Sequence, residues 1–165
     1  MIATERLTLR KARPDDLQAM HAIFSRADAM AYWDTLPHKE LATTRRFLDQ
    51  MIAADPKSSD DFIVEHQGAL IGKAGFWRKP EVGYIFHPDQ WGKGFGKEAL
   101  LALIERAFDH HRWDHITAEI DPRNERSRRL LLGLGFDETG FAEKTLKLGD
   151  AWVDSAYFKL VRSAA

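Results

Sequence analysis

Alternating glycines within residues 92–96 constrain this chain more than any other sequence feature. They follow an apolar, strand-like run over residues 82–86 and lead into a strongly helical stretch. Glycine has no Cβ, so backbone amides there can approach a ligand closely. Unpaired amides at a helix start, together with the helix dipole, favour an anion. The stretch therefore predicts a pyrophosphate-binding loop, to which Lys93 and Lys97 would add positive charge.

Two common nucleotide-binding motifs do not fit this loop in register. The Walker pattern GxxxxGK[ST] would need a glycine where Trp91 stands and a serine or threonine where Glu98 stands. The dinucleotide fingerprint GxGxxG, counted from Gly92, would need a glycine at Lys97. Nucleotide or dinucleotide binding is therefore disfavoured, whereas a plain strand-to-helix turn stays an alternative on the loop alone.

Length and composition indicate a single domain over residues 1–165, large enough to bury a real core. The formal charge of -1 gives no indication of a nucleic acid or an anionic membrane as partner. The absence of cysteine excludes disulfides, thiolate metal sites and an acyl-cysteine intermediate. The histidines show no metal-ligand spacing with a carboxylate, so no metal is expected. With no long apolar segment in the sequence, we expect a cytoplasmic enzyme.

Apolar periodicity predicts strands and helices that intermix without strict alternation. Alternating patterns predict strands at residues 6–11, 62–66, 69–77, 81–87 and 116–120, with a late hairpin turn at 148–151. Helical patterns begin at residue 14, cover 38–53 and 94–111, and recur in a short helix that ends at Gly135. Residues 55–61 have the composition of a surface loop. The pattern predicts an α+β fold with a mixed, mostly antiparallel sheet and helices on both faces.

Four ordered stretches span almost the whole chain. They are Glu5-Arg6-Leu7-Thr8-Leu9-Arg10 before Pro14-Asp15-Asp16, Glu81-Val82-Gly83-Tyr84-Ile85 leading through Pro88 into Trp91-Gly92-Lys93-Gly94-Phe95-Gly96, Asn124-Glu125-Arg126-Ser127 running to Gly135-Phe136, and Gly149-Asp150-Ala151-Trp152-Val153-Asp154-Ser155 before the last strand. The loop in the second stretch is close to the (Gln/Arg)-x-x-Gly-x-(Gly/Ala) pattern of acyl-CoA-dependent N-acyltransferases. Together the stretches resemble the GNAT superfamily, and most closely its RimJ/RimL-like branch, which acetylates ribosomal-protein N-termini.

This resemblance implies a six- or seven-stranded sheet whose central strands splay apart to admit acetyl-CoA as co-substrate. The pantetheine arm would hydrogen-bond the main chain of Ile85, Phe86 and His87 as a surrogate strand. Asn124 would bond the pantetheine near the thioester. Arg126 is a candidate for the nucleotide phosphates, as are Arg123 and Arg128, although a solvated helix face is an alternative for each. The pyrophosphate would lie on the segment Trp91, Gly92, Lys93, Gly94, Phe95, Gly96 and Lys97.

The implied reaction is direct attack of a primary amine on the acetyl thioester, without an acyl-enzyme. Glu81, at the start of the central strand, is the first candidate for the base, and the alternative is a surface carboxylate. Ser127 could hydrogen-bond the leaving thiol, unless it is only a serine on a helix face. The amide of Phe86 is the oxyanion donor by resemblance. Glu119 lies on the neighbouring predicted strand, where a salt bridge is the more expected role.

Two positions depart from the family pattern. Trp91 stands where glutamine or arginine is usual, although the RimJ/RimL-like branch often has tryptophan there. Leu131 stands where many members have a tyrosine, and leucine cannot protonate a departing thiolate. The general acid is therefore open, and a non-catalytic acyl-CoA sensor or interaction module stays a second hypothesis.

The amine acceptor is expected to bind between the first two helices and the final hairpin. Tyr32, Trp33 and Trp152 are candidates to line that site because they fall in irregular segments, although each could belong to the core instead. The acceptor could be a protein N-terminus or a small amine. The sequence leaves its identity open, together with the acyl-chain length and the choice between monomer and homodimer.

Overall fold

A computed structural model describes residues 1–164, which form an eight-stranded sheet with helices on both faces. The strands are β1 (Ile2–Ala3), β2 (Leu7–Arg10), β3 (Asp60–His66), β4 (Ala69–Arg78), β5 (Glu81–Phe86), β6 (His115–Ile120), β7 (Asp137–Leu148) and β8 (Ala151–Val161). The α-helices are α1 (Leu17–Phe24), α2 (Leu41–Ala53), α3 (Phe95–Glu105) and α4 (Glu125–Gly133). Single turns of 3-10 helix cover Pro14–Asp16 and Pro88–Gln90, and a π-helical turn over Arg106–His110 extends α3.

The strand order in the sheet is β1-β2-β3-β4-β5-β6-β8-β7. Every neighbouring pair is antiparallel except β5 and β6, which are parallel. The mixed, mostly antiparallel sheet predicted from the sequence is therefore confirmed. It has eight strands rather than six or seven because β1 pairs with β2, with Ile2 opposite Leu9.

The two parallel strands in the middle of the sheet, β5 and β6, diverge close to where their pairing begins. Within residues 1–164, β5 and β6 share a single register pair, Glu81 with Thr117. On its other side β5 pairs with β4 from Arg78 and Glu81 up to Gly72 and Phe86. Beyond Glu81 a gap therefore opens between β5 and β6, towards the end of β5 from which the chain continues to α3. The predicted splaying of the central strands is confirmed.

Two apolar clusters cover the two faces of the sheet, as the predicted two-faced arrangement requires. One packs α3 and α4 against the sheet, and the other packs α1 and α2 against the opposite face. Side chains alternate between faces along a strand. Val82, Tyr84 and Phe86 accordingly contact the first cluster, while Ile85 belongs to the second.

The prediction of a surface loop at residues 55–61 is wrong for its last two residues, which begin β3 and are buried. Asp60 accepts hydrogen bonds from Arg106 at 2.5 Å, His111 at 2.7 Å and Lys11 at 2.9 Å. These partners come from distant parts of the chain, so the local sequence does not reveal them. They offset the cost of removing the carboxylate from water.

We expect Asp60→Asn to lower the free energy of unfolding at pH 7 by on the order of 3 kcal/mol, because it leaves partly buried cations without their carboxylate. Burial alone would raise the pKa of Asp60, but hydrogen bonds from Arg106, Lys11 and His111 outweigh it and hold the pKa well below its usual range. A depressed folded-state pKa adds stability above about pH 4, and this is lost as the pH falls further.

Urea denaturation between pH 7 and pH 3 measures this contribution. The loss of stability below about pH 4 should be flatter for Asp60→Asn than for the unchanged chain. Asp137→Asn is the matched control, since Asp137 is exposed and forms no ion pair within residues 1–164. Parallel curves for Asp60→Asn and the unchanged chain would contradict the assignment.

Candidate active site

The loop between β5 and α3 presents a row of free backbone amides. Gly92 and Gly94 have φ angles of 75° and 81°, a conformation that favours glycine, and Gly94 caps α3. Within residues 1–164, the backbone amides from 92 to 97 have no acceptor, and Glu98 is the next to have one, at Gly94. Amides of this kind at the start of an eleven-residue helix form an anion-binding site.

Side chains from three parts of the fold hold this loop in place. The indole Nε1 of Trp91 donates to the carbonyl oxygen of Phe86 at 3.1 Å. The guanidinium of Arg126, on α4, lies 3.9 Å from the centre of the Trp91 ring. Arg6, near the N-terminus, donates to the carbonyl of Lys93 at 2.9 Å. The structure thus brings Trp91 and Arg126 together beside the free amides.

The pairing of β5 with β4 decides which main-chain groups face the gap. The amide of His87 donates to the carbonyl of Ile71 at 2.8 Å, so His87 and Ile71 form a hydrogen-bonded pair. Ile85, two residues before His87, lies opposite Lys73. Because hydrogen-bonded and non-hydrogen-bonded pairs alternate in antiparallel strands, the main chain of Ile85 and His87 faces β4. The groups of Tyr84 and Phe86 face the gap instead. This register favours Phe86 as a contact in the gap, but not Ile85 or His87.

A pair of hydroxyl groups connects β5 to α4 beside the gap. Asn124 caps α4, its side-chain oxygen accepting from the amide of Ser127 at 3.2 Å. The buried Ser127 Oγ lies 2.5 Å from the Tyr84 hydroxyl. Burial raises the pKa of Tyr84 to about 12, although the bond to Ser127 acts in the opposite direction. One turn further along α4, Leu131 is fully buried in the core.

A cavity of about 460 Å³ borders the gap on the face covered by α1 and α2. Residues of both β5 and β6 line it, together with the segment after α1 and the hairpin of β7 and β8. The predicted Tyr32, Trp33 and Glu81 are among its lining residues. Trp152 is not, and its side chain lies 54% exposed on the hairpin. Phe47 and Trp77 complete the aromatic part of the wall.

The cavity carries more negative than positive charge. Its lining holds two basic side chains, and each is paired: Lys73 with Asp61 at 2.7 Å and Arg78 with Glu81 at 2.8 Å. Burial, and also the neighbouring charge of Glu119, raises the pKa of Asp34, although its own backbone and Lys73 act in the opposite direction. The lining carboxylates without an ion pair within residues 1–164 are Asp34, Glu119 and Asp154.

The two candidate carboxylates on the central strands differ in their partners. Both oxygens of Glu81 are held, one by the indole of Trp77 at 3.2 Å and the other by Arg78. Glu119 accepts one hydrogen bond, from Ser155 at 2.6 Å, and does not form the expected salt bridge within the described residues. It stands two residues beyond Thr117, where β6 has already left β5.

Several residues of the site were missed from the sequence, among them Lys73, Asp34 and Tyr84. A lone lysine in the apolar strand over residues 70–77 was a signal for Lys73, which is 3% exposed. Asp34 stands next to the predicted Trp33, so its position in the irregular segment was a further signal. Tyr84 carried no local signal, because its partner Ser127 is far away in the sequence.

Two features are absent from the part of the chain that the structure describes. Residues 1–164 contain no group of three or more histidine, cysteine, aspartate or glutamate side chains placed to hold a metal ion. No helix in this part of the chain has the length and apolar character needed to cross a membrane.

Comparison with known proteins identifies relatives across nearly the whole chain. A family model described as an acetyltransferase (GNAT) domain matches residues 6–137. The uncharacterized N-acetyltransferase p20 of Bacillus licheniformis is 27% identical over 168 residues, covering 96% of this chain and 94% of that protein. The crystal structure of a GNAT-family acetyltransferase from Bacillus anthracis is 28% identical, with a TM-score of 0.85 and 97% of each chain covered.

A ribosomal-protein acetyltransferase shares the fold at lower identity. The Salmonella typhimurium enzyme that modifies the N-terminal serine of a 50S subunit protein has a TM-score of 0.85 and 16% identity, with 97% of each chain covered. At this identity the likeness concerns the fold alone. The RimJ/RimL-like branch therefore stays a prediction.

We expect Gly94→Ala to weaken coenzyme A binding about tenfold, because alanine at this positive φ strains the turn that aims the amides. The added Cβ would also lie 3.3 Å from Nη2 of Arg6. Gly133→Ala in α4 is the control, since its Cβ meets nothing within 4 Å and its φ is not positive. Isothermal titration calorimetry measures the affinity for coenzyme A. Unchanged binding by a folded Gly94→Ala variant would contradict the expectation that this loop binds the pyrophosphate.

Proposed function

The chain belongs to the GNAT acetyltransferase family and is an acyl-CoA-dependent acetyltransferase; from this premise we propose that it acetylates a small cationic amine held in the acidic cavity. The observation that carries the proposal is the excess of carboxylates in a cavity lined by both strands of the gap. An acceptor bound there would meet a thioester that enters between β5 and β6. The family match favours this enzymatic hypothesis over a non-catalytic module.

The unpartnered amides of residues 92–97 support the placement of the coenzyme A pyrophosphate at the start of α3. Lys93, Lys97 and Arg126 supply positive charge around the same loop. The main chain of Tyr84 would bond the pantetheine arm, since it faces the gap and has no pairing with β6 within residues 1–164. The carbonyl of Phe86 is already held by Trp91, which leaves the Phe86 amide for the thioester. Asn124, which caps α4 beside the gap, would contact the pantetheine near the thioester.

The acetyl group moves in one displacement. The amine nitrogen forms a bond to the carbonyl carbon, and the carbon–sulfur bond breaks with its electron pair going to sulfur. The amide of Phe86 would stabilise the negative charge on the carbonyl oxygen, as main-chain donors do in related chemistry. Ser127 would bond the leaving sulfur. An ammonium nitrogen must first give up one proton, which leaves for solvent, because only the neutral amine can attack. The attacking amine then loses a second proton and the thiol gains one, so that one proton is released for each cation acetylated.

Glu119 is the better candidate for the base than Glu81. Both oxygens of Glu81 are already held by Trp77 and Arg78, whereas Glu119 keeps one oxygen without a partner within residues 1–164. Glu119 also lies beyond the last shared register pair, on the edge of the gap where the thioester would end. A carboxylate there could take the proton directly or through one water.

The charge of the cavity supports an acceptor that is itself cationic. Among the described residues Asp34, Glu119 and Asp154 have no ion-pair partner, and a positively charged substrate would supply one. Aromatic faces at Trp33 and Trp77 suit an ammonium group as well. A carboxylate on the acceptor would be repelled by the carboxylates of the lining. The cation of Lys73 would not offset this repulsion, because it is already paired with Asp61. The volume of the cavity is in the range typical of small-molecule sites.

Thiol release from acetyl-CoA, measured with a panel of amines, tests this choice of acceptor. We expect diamines and polyamines to exceed monoamines of equal length at least about tenfold in kcat/KM, because their second charge pairs with the free carboxylates. Asp34→Asn should reduce that preference without changing the affinity for coenzyme A. An amino acid or an acidic peptide as the best acceptor would contradict the proposal, as would a preference that survives high salt.

We expect Glu119→Gln to lower kcat about 100-fold at pH 7, since it removes the proposed base. The loss should shrink as the pH rises towards the pKa of the amine, because more of the acceptor is then already neutral. Glu81→Gln is the matched comparison and should have the smaller effect. A pH–rate profile of both variants measures the difference, and the reverse order of effects would return the role to Glu81.

A further inference from the structure

The position at which many relatives carry a tyrosine has no proton donor here. Leu131 occupies it, and its side chain is fully buried among the apolar residues between α4 and the sheet. A leaving thiolate would therefore find no phenol on that turn of α4. One turn earlier on the same helix stands Ser127, which is also buried but shares a hydrogen bond with β5.

The hydrogen-bond partner of Ser127 is a phenol on the neighbouring strand β5. Tyr84 comes from β5, and its hydroxyl lies 2.5 Å from Ser127 Oγ. Within residues 1–164, neither hydroxyl has another hydrogen-bond partner, because Asn124 accepts from the amide of Ser127 and not from its hydroxyl. The two hydroxyl groups carry one hydrogen each, and the hydrogen bond between the groups uses one of these two hydrogens.

The chemistry of the two groups favours one direction for this bond. A phenol is the more acidic hydroxyl and therefore the stronger donor, while an aliphatic hydroxyl is the better acceptor. Enclosure of the phenol raises its pKa to about 12, so Tyr84 keeps its proton throughout the ordinary assay range. With Tyr84 as donor, the hydrogen of Ser127 is left free to point into the gap.

We propose that Tyr84 is a positioning residue, which donates to Ser127 Oγ and so directs the Ser127 hydroxyl hydrogen towards the sulfur of the thioester. This inference rests on the proposed function. As the carbon–sulfur bond breaks, the electron pair goes to sulfur and the Ser127 hydroxyl donates a hydrogen bond to it. No proton leaves Tyr84; the thiolate later takes up a proton from solvent, balancing the proton lost by the amine.

A hydrogen bond is sufficient here because a thiol is a good leaving group. A free alkyl thiol has a pKa of about 8.5, so its anion tolerates neutral water once formed. A donor that stabilises developing charge on sulfur lowers the barrier without transferring a proton. The arrangement therefore removes the need for a tyrosine at Leu131.

Single-turnover acetyl transfer from acetyl-CoA tests the pair through Tyr84→Phe, Ser127→Ala and the double variant. We expect Tyr84→Phe and Ser127→Ala each to lower the rate about tenfold with unchanged affinity for acetyl-CoA. The double variant should be no slower than Ser127→Ala alone, because Tyr84 acts only through Ser127. Ser127→Thr should recover most of the rate. Ser58→Ala, which removes a hydroxyl from an exposed turn before β3, is the control and should leave the rate unchanged.

A second acyl donor separates this role from simple packing. With an acetyl aryl thioester, whose leaving thiol is much more acidic, Tyr84→Phe should lose less than about threefold in kcat/KM, since sulfur then needs less help. An equal loss with both donors, or losses that multiply in the double variant, would overturn the inference. So would an unchanged rate for Tyr84→Phe in an otherwise active enzyme, which leaves the proposed function standing. No transfer by the unchanged chain would overturn both.

Discussion

The early parting of β5 and β6 is the constraint on which the rest of the structure depends. Paired strands satisfy their own main-chain groups, and a sheet that closed beyond Glu81 and Thr117 would leave nothing for a ligand to bond. Here β4 and β8 hold the two central strands from outside, while α3 and α4 cover one face. The gap is thus maintained by its neighbours, and its free edge is the surface proposed to bind the co-substrate.

Opposite charges occupy the two ends of this gap. The loop before α3 offers backbone amides with Lys93 and Lys97, which suits an anion. The cavity on the other side offers carboxylates and aromatic faces, which suits a cation. Under the proposed function, each end would repel the substrate meant for the other, and the two reactants would approach from opposite directions and meet between the strands.

Local patterns in the sequence were sufficient for most elements, and distant pairings explain the exceptions. Alternation predicted β3, β4 and β5, and the glycines predicted the loop, because each signal lies within a few residues. The start of the strand at Asp60 was missed, since its three partners are distant: Lys11 follows β2, while Arg106 and His111 lie in and just after the turn that extends α3. Likewise Trp152 was expected at the acceptor site because the hairpin was predicted, but not the direction of its side chains. The bond between Tyr84 and Ser127 joins residues 43 positions apart, which no local pattern contains.

Hydrogen bonds between the loop before α3 and the N-terminal edge of the sheet couple two distant regions energetically. Arg6 bonds the carbonyl of Lys93 and the carboxylate of Glu98, and Glu98 also accepts from Thr4, just after β1. If that edge frayed, the loop would lose these hydrogen bonds. A ligand that binds only the ordered loop therefore stabilises the edge, and it does so by the same free energy that fraying would cost in ligand binding. An anion bound to the amides of this loop should therefore slow amide hydrogen exchange in β1 and β2.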